Sequence, residues 1–140
     1  MKKKIIVLSM VSLLLLGGCA KGYKEGIYTG TATDSYGGQD NTATATVTSV
    51  ELDTTYTKDG VKTTKKALGS EYGMYNNPYG STIGEWDTQV KALEDYIVKN
   101  QGIDSLKLDE DGKTDAVSGC TIKIDALYEA ASNALKQAKK

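Results

Sequence analysis

The sequence predicts a single α+β domain, a small antiparallel sheet packed against two main helices. Three observations carry this expectation. Residues 42–52 place Ala43, Ala45 and Val47 on one face at period two, the alternation of a half-buried antiparallel strand, and residues 26–34 precede them with β-branched and aromatic residues between glycines. Trp86, Val90, Leu93 and Ile97 stand at i, i+4, i+7 and i+11, one apolar stripe of a helix over 85–99. Leu127, Ala131, Leu135 and Ala138 repeat that device over 124–140, with Ala130 and Ala134 small enough for close approach to a neighbour. A chain of 140 residues suits one such domain with a core of its own.

The elements follow in order. Residues 35–41 are a turn by composition and join the first two strands as a hairpin. Residues 53–65 are polar, with Lys58-Asp59-Gly60 as a turn signal, and fit a second hairpin or an open loop equally. Residues 66–84 hold glycines, tyrosines, a methionine and the only proline without any period, an irregular loop of the kind that often carries function. Ser81 or Thr82 can cap the helix that follows, and Asn100-Gln101-Gly102 can end it. Residues 103–108 read as a short strand, and Asp109-Glu110-Asp111-Gly112-Lys113 as a solvated turn. Those acids lack the spacing and terminal glutamate of a calcium loop.

Composition narrows the chemistry. The chain has no histidine and no arginine. Without histidine there is no Ser-His or Cys-His pair and no mixed Cys/His zinc site. Without arginine the bidentate fork that reads phosphate and guanine is missing, so nucleic acid is not an expected partner.

Lys2, Lys3 and Lys4 precede an apolar run over 5–16 that ends in Gly17-Gly18-Cys19. At about 18 Å as a helix, that run is shorter than the roughly 30 Å of a hydrocarbon core, and it reads as a secretory signal. Leu16-Gly17-Gly18-Cys19 resembles the bacterial lipobox, in which cysteine is acylated and becomes the first residue after cleavage. The resemblance implies a signal peptide at 1–18, a lipidated tether at 19–25 with Cys19 as lipid attachment, and a domain at 26–140. The expected location is the extracytoplasmic face of the cell membrane. Loss of residues 1–18 removes three lysines, so the formal charge of −1 becomes −4. An acidic body does not cling to an anionic membrane, and attachment is expected to rest on the acyl chain.

The candidate site is Asp115-Ala116-Val117-Ser118-Gly119-Cys120-Thr121, just before the last helix. A glycine-containing turn there would bring hydroxyls and backbone N–H groups to a helix N-terminus, a place that receives anions. The plain alternative is a turn in which Thr121 or Asp115 caps the helix.

DAVSGCT resembles the Asp-x-x-Ser-Gly-Ala-Thr signature of the FMN-binding domain family, which includes surface lipoproteins of extracellular electron transfer and one of the subunits of the sodium-pumping NADH:quinone reductase. The likeness extends to the GIYTG opening strand, the Gly/Tyr/Met loop and the closing helix. In that family a separate flavin transferase splits FAD and joins FMN through its phosphate to the threonine hydroxyl. The resemblance implies Thr121 as the flavinylated residue, with Asp115, Ser118, Gly119 and Cys120 forming the recognition turn. Tyr72 and Met74 are candidates to pack near the flavin ring. Cys120 stands where alanine is usual, and Lys123 where many members carry Ser or Thr, a lysine that can neutralise a phosphodiester.

The function so implied is a membrane-anchored electron carrier, not an enzyme, that takes electrons from a membrane quinol or dehydrogenase. Two other readings stand beside it. One is a non-redox surface lipoprotein, either a ligand-binding module or a precursor whose signal peptide is a pheromone. The other is a thiol enzyme using Cys120.

Overall fold

The computed structural model describes residues 22–34, 38–75 and 83–140. The expected signal peptide, Cys19, part of the turn at 35–41 and the loop residues 76–82 lie outside them. The described residues form a four-stranded antiparallel sheet in the order β1-β2-β3-β4, with β1 at Tyr28–Thr33, β2 at Asp40–Ala45, β3 at Val50–Lys58 and β4 at Val61–Thr64. Helix α1 (Lys65–Leu68) and a 3-10 turn (Gly69–Tyr72) follow, then α2 (Trp86–Asn100) and α3 (Asp125–Ala138). The fold is α+β, a small antiparallel sheet under two main helices.

Alternation sets which side of the sheet is buried. Ala32, Ala43, Ala45, Val50, Leu52 and Thr54 face the helices, and their chain neighbours face out or lie at the rim. Helix α3 lies on β1 and β2 and α2 lies on β3. The contact of β1 with α3 is backbone on backbone. A Cβ on Gly30 would sit 2.1 Å from the Ala130 carbonyl oxygen and 2.5 Å from the Ala134 nitrogen, and both alanines are fully buried. The small residues expected to admit a neighbour admit this glycine.

Residues 42–52 are not one strand. Thr46 and Ser49 close a hairpin between β2 and β3, with the Thr46 amide donating to the Ser49 carbonyl at 2.8 Å. The Thr46 hydroxyl accepts from the amides of Thr48 and Ser49 at 3.3 and 3.0 Å. A hydroxyl that captures nearby amides makes a turn without glycine, and the alternation of apolar residues runs on through it. Of the two options for 53–65, the hairpin is the one formed. Asp59 and Gly60 have φ of 51° and 77°, the pair of positive values that a tight β3–β4 turn needs.

The short strand expected at 103–108 is absent. The Leu106 amide donates to the Ile103 carbonyl at 2.9 Å, so both apolar side chains enter the core from one turn. Helix α2 has Glu85 at its N-cap rather than Ser81 or Thr82. It ends as expected at 100–102, with Gln101 as the left-handed C-cap at φ 52° and Gly102 following it at φ 147°. Part of the expected tether is docked. Lys24 N donates to Ala138 O at 2.7 Å, and Lys140 N to Gly22 O at 3.0 Å, in an antiparallel bridge between Tyr23 and Lys139.

Candidate functional site

The Asp115–Thr121 segment crosses the first half of α2. The Cys120 amide donates to the Val117 carbonyl at 3.3 Å, and Gly119 within that turn has φ +82°. A positive φ at the third residue is what a type II turn demands, which explains the glycine. Beyond the turn burial alternates, with Cys120, Ile122 and Ile124 buried and Thr121 and Lys123 exposed between them. Asp115, Ala116, Ser118 and Gly119 are also exposed.

This geometry corrects the expectation of a helix N-terminus. Helix α3 starts at Asp125, four residues past Thr121, and its N-cap is Ile124 without a side-chain capping bond. Neither Thr121 nor Asp115 caps it. The amides are aimed elsewhere: Ile124 N donates to Gly112 O at 2.8 Å, and Thr121 N to Gln89 at 2.9 Å.

Gln89 organises the site. Its side chain is 0% exposed, and its Oε1 accepts from both the Thr121 amide at 2.9 Å and the Thr121 hydroxyl at 3.3 Å. Its Nε2 donates to the Gly84 carbonyl at 3.0 Å, so the buried amide has both ends engaged. Gln89 fixes the threonine backbone and turns the hydroxyl proton inward, leaving the oxygen's lone pairs for the surface. One helical turn earlier, the Glu85 carboxylate accepts from the amides of Met74 and Tyr75 at 2.9 and 3.0 Å. The N-terminal end of α2 therefore holds both Thr121 and the Met74–Tyr75 segment.

Tyr72 and Met74 are half-buried against the core. The Tyr72 ring packs edge-on to Tyr56 with centroids 5.2 Å apart, and Lys65 Nζ lies 5.0 Å from its centroid and 5.5 Å from that of Trp86. No hydrogen bond among the described residues joins Tyr72 or Met74 to Thr121. Trp86 is 4% exposed and belongs to the core.

Cys120 is 1% exposed, and burial pushes its thiol up, against a smaller lowering by the Ile122 backbone. A nucleophilic thiolate needs access and a lowered pKa, and Cys120 has neither. Its place is in the packing beneath the turn, not on the exposed face. Lys123 is exposed and its Nζ lies 3.4 Å from Asp125.

Gln89 and Glu85 were not among the residues singled out from sequence. Gln89 stands three residues after Trp86, inside the apolar stripe, and a polar residue on a buried stripe is the signal that marks it. Glu94 bears the same mark: it is 4% exposed, accepts from Leu52 N at 2.8 Å and pairs with Lys66. It ties α2 to β3, away from the site.

Two clefts among the described residues lie elsewhere. One is lined by Tyr23, Tyr28, Val50 and Ile97, the other by Asp40, Tyr56 and Thr63. Among the described residues no helix is long and apolar enough to cross a membrane, and no cluster of three or more metal-binding side chains occurs. Comparisons with protein-family models, curated proteins and solved structures give no match.

Proposed function

We propose that this chain is a membrane-anchored extracytoplasmic flavoprotein that carries FMN on Thr121 and passes electrons from a membrane quinol or dehydrogenase to an acceptor. One observation supports it most: in the DAVSGCT turn, Thr121 is exposed while a buried glutamine fixes its amide and hydroxyl. A threonine that only filled a turn would not need a dedicated buried partner 32 residues away. The residues present suit a phosphate-linked group. Ser118, Gly119 and Thr121 are exposed together, the left-handed Gly119 keeps the turn free of a side chain, and Lys123 stands two residues on.

Attachment is a single exchange. The Thr121 Oγ1–phosphorus bond forms, the pyrophosphate bond of FAD breaks, AMP leaves, and the hydroxyl proton passes to a base of the separate flavin transferase. When bound, the flavin supplies the redox chemistry. The chain's own residues have a positional part. Gln89 holds the threonine backbone, the Val117–Cys120 turn presents it, and Glu85 fixes Met74 and Tyr75 at the same end of α2. Such a carrier needs no catalytic group of its own.

The test is co-expression of the mature chain with a flavin transferase, read by intact mass and visible absorbance. A covalent FMN on wild type and on Thr121→Ser, absent from Thr121→Ala, is the expected outcome. A colourless, unmodified wild type sinks the reading and leaves a non-redox surface lipoprotein on the same fold.

A further inference from the structure

The structure has two unlike ends. The C-terminal turns of α2 and α3 meet at one of them, where Ile97, Gln101, Leu135 and Ala138 line a common cleft with Tyr23 and Lys24. Both helices therefore begin at the opposite end, where Gln89 holds Thr121 and Gly112 packs against Lys123 and Asp125. Along α2, Gln89 and Gln101 are twelve residues apart, about 18 Å at the helical rise. The chain enters the domain at the end away from Thr121. Residues 22–24 are fastened there by Lys24 N to Ala138 O, Lys140 N to Gly22 O and the Tyr23–Lys139 bridge.

Charge follows the same axis. Lys24, Lys99, Lys136, Lys139 and Lys140 are exposed at the entry end, against Glu25 on the entering segment and Asp104 just past the end of α2. The ion pairs among the described residues engage Lys58, Lys66, Lys91 and Lys123 and none of these five. The other end carries Asp87, Asp109, Glu110, Asp111, Asp115 and Asp125 against Lys113 and Lys123. An acidic net charge thus conceals a basic end, and a surface responds to the nearest charges once separations exceed a Debye length of roughly 8 Å.

We propose that the entry end docks on an anionic lipid surface through Lys24, Lys136, Lys139 and Lys140, which holds the Thr121 turn on the side facing away from the membrane. The proposal rests on the reading of Cys19 as the anchor. Two residues, Ala20 and Lys21, lie between Cys19 and Gly22, a reach of at most about 11 Å however they are arranged, so acylation brings these lysines to the headgroups. Backbone hydrogen bonds at residues 22–24 fix the direction of the domain on that short leash. The lysines alone would bind weakly, and the anchor and the basic end act together.

The experiment places the mature protein in vesicles of phosphatidylcholine, with and without phosphatidylglycerol. The protein is anchored by its own acyl chain or, where mass shows Cys19 unacylated, by coupling that thiol to a maleimide lipid. An impermeant amine reagent is applied and labelling is read lysine by lysine by mass spectrometry. The expected result is labelling of Lys24, Lys136, Lys139 and Lys140 at least about threefold slower on anionic vesicles, lost at high salt, with Lys113 and Lys123 unchanged. The triple variant Lys136→Glu, Lys139→Glu, Lys140→Glu should lose the protection of Lys24. Equal labelling on both vesicles, or protection of Lys113 and Lys123, overturns the docking. An unacylated Cys19 overturns the anchor reading alone, because the coupled chain still reports the orientation.

Discussion

Gln89 is the residue on which the proposed site depends. Its carbonyl oxygen serves two donors of Thr121 while its amide nitrogen serves Gly84, so removing the side-chain amide leaves three groups without their partner. Gln89→Leu keeps the volume and should cost about 1–3 kcal/mol in urea unfolding. In the flavinylation assay the same variant should lower the yield on Thr121, since the hydroxyl is no longer directed. Full modification at wild-type rate would show that Gln89 only supports the fold. Cys120 gives a second, independent reading. Its folded pKa is raised by burial, so above about pH 8.5, where an unfolded thiol ionises, the folded chain retains a proton that the unfolded chain has lost. Stability contributed by the neutral thiol is complete below that pH and declines as pH rises towards the folded value. Cys120→Ala should show a shallower fall of the urea midpoint between about pH 7 and 10 than wild type. Native protein should also react slowly with thiol reagents.

Glycines and hydroxyls decide how the elements join. Gly30 lets β1 lie against the backbone of α3, and a methyl group there would enter the space of the Ala130 carbonyl. Backbone cannot yield as a side-chain tip can, so Gly30→Ala should destabilise by about 3 kcal/mol in denaturant unfolding. A neutral result would mean that α3 is free to move off the sheet. The helices were legible because Trp86, Val90, Leu93 and Ile97 declare one buried face, and that stripe includes the first and third turns of α2 as the structure has them. The break at 46–49 was not legible. Its signal is a threonine hydroxyl taking two amides, and threonine recurs in the strands on either side. The absent strand at 103–108 misled for a related reason. Ile103 and Leu106 are three apart, a spacing that one turn buries as well as a strand would bury its neighbours.

The molecule is built so that one core joins sheet, α2 and α3. Trp86 is the only tryptophan and sits at the start of α2, buried in that core. Its fluorescence and the far-ultraviolet circular dichroism should therefore lose signal at one denaturant midpoint. Separate midpoints would show that α2 leaves before the sheet. The sequence was enough for the class of fold, for the two helices and for the turn at 115–121, because these rest on local periodicity and on glycine at a positive φ. The partner of Thr121, the sharing of α2's N-terminal end by Thr121 and Met74, and the sorting of acids and lysines to opposite ends came from packing. Each joins residues distant in the chain, and no local pattern records which side chains will meet when α2 closes over the sheet.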